Sequence, residues 1–130
     1  MTSQKINERV LVTGATGMLG THLVARLNET YDELLVVEHN TKSKYGKGIC
    51  LDLIDIDEVR VQLDHLKPTI IINLAALTDV DDCEKNTFQA DVINHKLPKE
   101  LAEYWRRSKL NGPRDVFVVH ISTDYVFDGV

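Results

Sequence analysis

Cysteine is scarce in this chain: Cys50 and Cys83 stand alone, in no C-x-x-C arrangement. Two such residues build neither a disulfide framework nor a four-cysteine zinc site. No secretory signal precedes the first apolar run, so a reducing, cytoplasmic setting is expected. Long hydrophobic runs are missing as well, and no stretch approaches the roughly 18 apolar residues of a membrane span. Basic charge is short. Lys and Arg number 15 against 20 Asp and Glu, a formal net charge of −5. That balance argues against a nucleic-acid-binding face, and Lys42, Lys44 and Lys47 read as a solvated loop. The five histidines lack ligand spacing. Asp79, Asp81, Asp82 and Glu84 alternate in a way that a hard cation would accept, but solvated loop carboxylates are the simpler reading. No metal is expected.

What is present is an ordinary globular composition, 43% hydrophobic and 27% charged over 130 residues. A chain of this length folds as one domain, 1–130, and buries roughly two-thirds of its unfolded surface. Met1–Glu8 is polar and expected to be loose.

Beyond it, periodicity predicts alternating strands and helices. Arg9–Thr13 reads as the first strand and Met18–Asn28 as a helix with Leu19, Leu23, Val24 and Leu27 on one face. Glu33–Glu38 is the second strand, His39–Lys47 a polar loop and Ile49–Leu53 a short third strand. Asp55–Lys67 carries Ile56, Val59, Leu63 and Leu66 at helical spacing, and Pro68 ends it. The run Thr69–Leu74 is expected as a strand buried on both faces. An acidic loop, Asp79–Asn86, leads to a helical region from Thr87, interrupted near Pro98 and resuming through Leu101, Ala102 and Trp105. Asn111-Gly-Pro113 is a turn, and Val116–Ser122 the fifth strand, where His120 reads as a core or inter-strand residue. Trp105 reads as packing. The alternation implies an α/β, Rossmann-type doubly wound parallel sheet of about five strands, with a ligand crevice at the carboxyl ends of strands one and four.

Chemistry concentrates at those strand ends. Gly14, Gly17 and Gly20 follow the first strand at three-residue spacing and run straight into a helix. Gly14 permits the tight turn, Gly17 lets backbone approach phosphate oxygens, and Gly20 allows close helix packing. The helix N-terminus then faces a pyrophosphate with unpaired N–H groups. Glu38 closes strand two, 18 positions after Gly20, where an acidic residue accepts hydrogen bonds from the adenosine ribose. The plainer alternative is a solvated charge. Asp52 and Leu53 suit an adenine edge and face, or equally a polar strand end and a core leucine. Ala75, Ala76, Leu77 and Thr78 leave strand four at the crevice with small side chains and a hydroxyl. Ser122-Thr-Asp-Tyr-Val-Phe127 ends strand five with hydroxyls able to hydrogen-bond a substrate carbonyl, or with a satisfied strand end and packing aromatics.

With VTGATGMLG (12–20), KPTIIINLAALTDVDDCE (67–84), Asn94 with its following proline and HISTDYVFDG (120–129) in view, the chain resembles the extended short-chain dehydrogenase/reductase superfamily. Within it, it is most similar to the dTDP-4-dehydrorhamnose reductase family, from about Arg9 to Gly129. The resemblance implies hydride transfer from NADH or NADPH to the C4 ketone of a dTDP-linked deoxysugar, in dTDP-L-rhamnose synthesis. By the same resemblance Thr16, Gly17, Met18, Leu19 and Gly20 meet the cofactor phosphates, Glu38 the ribose, and Asp52 and Leu53 the adenine. Ala76, Leu77, Thr78 and Ile121 line the nicotinamide half, Thr123 is the active-site hydroxyl and a substrate contact, and Asp124 is a second substrate contact. Asn94 matches a helix asparagine that supports a proton relay.

One part of the family pattern does not occur in these residues. The family's proton donor is a tyrosine followed four residues later by a lysine. Tyr31, Tyr45, Tyr104 and Tyr125 are followed at that spacing by Leu35, Ile49, Ser108 and Gly129. The pair, the later strands and the substrate domain lie further along in relatives, so the chain alone is expected to hold cofactor without useful turnover. The uncovered fifth strand is then expected to pair with a missing carboxyl-terminal segment or a second copy, or to leave the chain poorly soluble. A non-catalytic role is the alternative, since the regulatory β subunit of methionine adenosyltransferase resembles the same reductases.

Overall fold

The computed structural model describes residues 4–76, 84–112 and 115–121. Five strands, β1 (Ile6–Thr13), β2 (Tyr31–Glu38), β3 (Lys47–Cys50), β4 (Ile70–Asn73) and β5 (Phe117–His120), form one sheet. All pair in parallel, in the order β3-β2-β1-β4-β5. The helices are α1 (Met18–Thr30), α2 (Ile56–Leu66), α3 (Thr87–Asp91) and α4 (Leu97–Asn111), with a π-wound segment, Val92–Lys96, joining the last two. Chain order and spatial order reverse between β1 and β4, as the α/β alternation predicts.

The period of two in β1 divides the core. Val10 and Val12 face α1 with Val24, Leu27, Leu34 and Val36. Leu11 faces the other way, into a larger layer with Leu35, Ile71, Val59, Leu63, Leu97 and Leu101 beneath α2 and α4. Leu63, Leu97 and Leu101 are almost fully buried, and truncating any one to alanine costs about 2–5 kcal/mol.

Local chemistry sets the helix limits. Asp55 caps α2 through its side chain, which accepts the Glu58 N–H, while Asp57 and Glu58 fill the acidic first turn. Lys67 closes it in the left-handed region, φ 53°, so Asp55 and Lys67 bracket the predicted helix rather than belong to it.

Several expectations are corrected. Ile6–Glu8 is not loose: β1 starts at Ile6, which pairs with Tyr31, and the register shifts between Ile6 and Arg9. Met1–Ser3 lie outside the described residues. Strand β2 starts at Tyr31 because α1 runs to Thr30 and the chain re-enters the sheet at once. Leu19 is 54% exposed, since the first turn of α1 overhangs the sheet's carboxyl end, beyond Val24 and Leu27. Strand β3 is Lys47–Cys50 rather than Ile49–Leu53, because Leu51 already turns inward after pairing with Glu38. Strand β4 is only half-buried at Ile70 and Ile72, because α1 packs over β1 and β2 and stops short of it.

Pro98 does not interrupt the helix. It occupies the first turn of α4, and the turn before it widens so that the Leu97 N–H bonds Val92 O, five residues back. That winding accommodates a residue without an N–H. Trp105 is 41% exposed, with Lys109 Nζ 5.1 Å from its ring centre, so it packs at the surface.

Candidate functional site

The sequence places a crevice at the carboxyl ends of β1 and β4; among the described residues the cavity lies instead at the ends of β1, β2 and β3. Gly14 has φ 68°, and a Cβ on it would lie 2.7 Å from Leu74 C and 2.8 Å from Ala75 N. Left-handed backbone and contact with the exit of β4 both demand glycine there. Gly20 is required by space alone, for a Cβ would meet Gly14 O at 2.3 Å and Ala15 O at 2.7 Å. The close contact foreseen for Gly20 is therefore with the turn itself. Gly17 differs. A Cβ there would find only Gly14 O, at an ordinary 3.5 Å. Its φ is −74°, so neither strain nor packing within the protein requires glycine at this position.

Gly17 is also the N-cap of α1, and no side chain caps it. That turn contains no acidic residue. The first-turn amides and the positive end of the helix dipole thus have no acidic partner within that turn. The preceding Thr16 and the following Met18 are exposed, Met18 at 89%.

Beside the turn lies a cavity of about 320 Å³. Gly14, Ala15 and Thr16 form one side, and Leu51, Asp52 and Leu53 the other, with Val37 among the remaining lining residues. Asp52 Oδ1 accepts the Ile54 N–H at 3.1 Å, and its Oδ2 lies 3.8 Å from His39 Nε2. Six lining residues were not anticipated: His39, Asn40, Thr41, Ile93, Val37 and Leu51. The first three follow β2 within a stretch that reads only as polar loop. Ile93 sits on the π segment, whose wider winding no periodicity announces.

Glu38 does not line this cavity. Its Oε2 accepts the Ser43 N–H at 2.5 Å, and its carboxylate lies against Gly48 of β3.

The floor toward β5 is a polar chain across three strand ends. The Ala75 N–H donates to Thr13 Oγ1 at 3.2 Å, and Thr13 Oγ1 donates to Asn73 Oδ1 at 2.5 Å. Asn73 Nδ2 stands 3.0 Å from His120 Nδ1. The amide donates, so His120 accepts at Nδ1, and its inter-strand role is as expected even though the residue is exposed. Thr13 and Asn73 are buried, at 2% and 0% exposure. The signal for them was available: a threonine and an asparagine ending two otherwise apolar strands need partners. Ala75 is half-buried, Ala76 exposed, and the Ile121 N–H donates to Asn73 O at 3.2 Å. Asn94 lies on the π segment and is exposed.

Leu77, Thr78, Thr123 and Asp124 lie outside the described residues, as do Ser122, Tyr125, Asp79, Asp81 and Asp82. Among the described residues there is no cluster of potential metal ligands and no helix long and apolar enough to cross a membrane. Larger hollows of about 470 and 650 Å³ flank the end of α4 and its seam with β5, but neither is bordered by the glycine turn or the start of α1.

Residues 8–130 match the family described as the RmlD substrate binding domain. A probable dTDP-4,6-dihydroxy-2-methyloxan-3-one 4-ketoreductase of Streptomyces antibioticus is 39% identical over 121 residues, 93% of this chain and 36% of that protein. A hypothetical dTDP-4-dehydrorhamnose reductase from Sulfolobus tokodaii has a solved structure similar to this one, with TM-score 0.77 and 36% identity, covering 93% of this chain and 41% of that one. The dTDP-4-dehydrorhamnose reductase of Bacillus anthracis, solved in complex with NADP, gives TM-score 0.69 and 38% identity over 98% of this chain and 40% of that one. The chain spans little more than a third of the length of the curated relatives it matches.

Proposed function

The chain belongs to the RmlD substrate binding domain family, and from that premise we propose that it forms the dinucleotide-binding half of an NAD(P)H-dependent reductase of dTDP-4-keto-6-deoxysugars. The observation that carries this reading is Gly17, a glycine the fold does not need, set at the uncapped N-terminus of α1 beside a cavity. When bound, the nicotinamide supplies the hydride that reduces the C4 ketone.

The chain's own residues do the holding. Backbone N–H groups from Thr16 to Gly20 neutralise the pyrophosphate, except that of Gly17, which donates to Gly14 O at 3.2 Å. Asp52 and Leu53 flank the adenine from the far wall of the cavity; Glu38, whose carboxylate accepts the Ser43 N–H, turns from that bond to reach the ribose. Ala75, Ala76, Leu77, Thr78 and Ile121 border the nicotinamide half. Thr13, Asn73 and His120 keep the β4 and β5 exits at fixed spacing beneath it. By family resemblance Thr123 offers a hydroxyl to the substrate carbonyl and Asp124 a further contact with the nucleotide-sugar.

These residues include no Tyr-x-x-x-Lys, and a positioned general acid contributes typically about 10²–10⁴-fold in rate. The 130-residue chain therefore binds cofactor without useful turnover. Strand β5 leaves Phe117 at 65%, Val119 at 44% and Ile121 at 43% exposure, an apolar margin suited to a further strand or a second copy of the chain. Calorimetric titration with NADH and NADPH tests the binding claim, and absence of heat with both overturns it. Oxidation of NADH with dTDP-4-dehydrorhamnose, followed by loss of NADH absorbance, tests the second claim; turnover matching a full-length relative refutes it. Sedimentation of dilute protein as a clean monomer counts against an edge that pairs.

A further inference from the structure

Thr13, Asn73 and His120 stand at paired positions of β1, β4 and β5. The backbone alone already closes this corner of the sheet. The Leu74 N–H donates to Thr13 O at 3.1 Å, and the Ile121 N–H to Asn73 O at 3.2 Å. The side-chain bonds are therefore additional to strand pairing, and their outer member, His120, is exposed. Their direction is nevertheless fixed. A backbone N–H only donates, so Thr13 Oγ1 accepts from Ala75 at 3.2 Å. The hydroxyl hydrogen then needs its own acceptor, in a site where Thr13 is 2% and Asn73 0% exposed. Asn73 Oδ1, at 2.5 Å, is the acceptor the structure gives it. With that oxygen committed, the amide presents Nδ2 to β5, 3.0 Å from His120 Nδ1. Nδ1 must then offer a lone pair, and the ring's proton sits on Nε2. A proton on Nδ1 would turn the amide over, aim Nδ2 at Thr13 and strand a buried hydroxyl hydrogen.

Resting on the dinucleotide reading above, we propose that His120 is a positioning residue for the nicotinamide half of the site. It lies outside the cavity beside the glycine turn and acts through two buried side chains. The lone pair on Nδ1 sets the Asn73 amide, the amide sets the Thr13 hydroxyl, and the hydroxyl holds the Ala75 N–H at the exit of β4. That exit has no slack, for Ala75 N lies 2.8 Å from where a Cβ of Gly14 would stand. A shift at Ala75 is thus felt at the glycine turn as well as along the residues that follow β4.

The test compares wild-type protein with H120N and H120L. Asparagine sets a carbonyl oxygen at the δ position where Nδ1 stands, whereas leucine fills similar space without an acceptor. Calorimetric titrations use NADH, NADPH and ADP, which carries the adenine half alone, with thermal melts as a check on folding. H120L is expected to weaken both dinucleotides by about fivefold, the worth of one hydrogen bond. H120N should restore them to within about twofold of wild type, and ADP should bind all three proteins alike. Hydrogen exchange at the Ala75 amide should quicken in H120L and recover in H120N. Long-range proton–nitrogen correlations of the wild-type ring, taken in alkaline solution where an imidazole is neutral, should show Nε2 protonated and Nδ1 bare. A proton on Nδ1 overturns the assignment, as do dinucleotide affinities and Ala75 exchange unmoved in H120L. Loss of ADP in step with the dinucleotides also overturns it, and so does H120N behaving no better than H120L, since either marks general loosening. If wild-type protein binds neither dinucleotide, the dinucleotide reading fails by itself. The Ala75 exchange pattern and the ring tautomer then still decide the role of His120.

Discussion

The two ends of the sheet are built on opposite rules. At the amino-terminal end, long polar side chains close every gap between strand starts and helix ends. Arg9 Nε bonds Glu33 at 2.7 Å while its Nη1 bonds Leu66 O at 2.6 Å, tying β1 to β2 and to the end of α2. The hydrogen bond to Glu33 raises the guanidinium above its ordinary value, so it stays charged at any accessible pH. Thr69 bonds Glu8 and accepts the Arg9 N–H, and buried Tyr104 donates to Pro68 O at 2.7 Å. At the carboxyl end the same strands emerge into glycine, alanine and an uncapped helix N-terminus. Among the described residues one end satisfies its buried side chains internally except at Arg107 Nε, and the other leaves the N-terminus of α1 without a side-chain cap. The difference teaches where to expect stability and where to expect binding, and it can be tested by substitution at each end.

The largest effect is expected from G14A, which belongs to both categories. It places a Cβ in left-handed backbone and against Leu74, and should lower stability by about 3 kcal/mol. Chemical denaturation measures this, and cofactor binding should disappear with it. Next is G17A, where the two ends separate most clearly. Its Cβ meets nothing closer than 3.5 Å, so stability should change by less than about 1 kcal/mol, the range of an N-cap exchange. Cofactor affinity should nevertheless fall at least about tenfold, or 1.4 kcal/mol, in a calorimetric titration. An equal loss of stability would erase the distinction between the two ends.

Y104F works at the opposite end. It removes the donor from a buried carbonyl and should cost about 1–2 kcal/mol in urea denaturation, with cofactor affinity unchanged. The smallest effect belongs to E33A. Glu33 is 48% exposed at its side chain, and removing such a partner typically costs about 0.5 kcal/mol. A much larger value from double-mutant analysis with Arg9 would mean that the Arg9–Leu66 bond depends on Glu33.

The five parallel strands and the glycine turn after β1 were legible from residue pattern, because period-two runs, helical spacing and turn residues report local geometry directly; the cavity, expected at β1 and β4, lies at the ends of β1, β2 and β3. Gly14 and Gly20 were legible for the same reason. Contacts that depend on the meeting of distant segments were not. Ile93 reaches the cavity through a π winding that answers to Pro98, and apolar periodicity assumes an α-helix. Glu38 bends toward Ser43 and Gly48 because β3 returns beside it, a juxtaposition that spacing within β2 leaves open. Leu19 satisfies the helical stripe in sequence yet overhangs the sheet, since the stripe gives direction around an axis but not position along it.

The order of residues alone settled a parallel α/β sheet, the glycine turn at the end of β1 and the helix that starts there, because each follows from backbone sterics and burial within a few neighbouring residues. Only the tertiary structure decided which of the three glycines the fold itself requires, where the carboxylate of Glu38 points and how Thr13, Asn73 and His120 join across three strands. Those outcomes depend on distances between segments 10 to 107 residues apart, from Glu38 to Gly48 and from Thr13 to His120, and such distances exist only once the chain has folded.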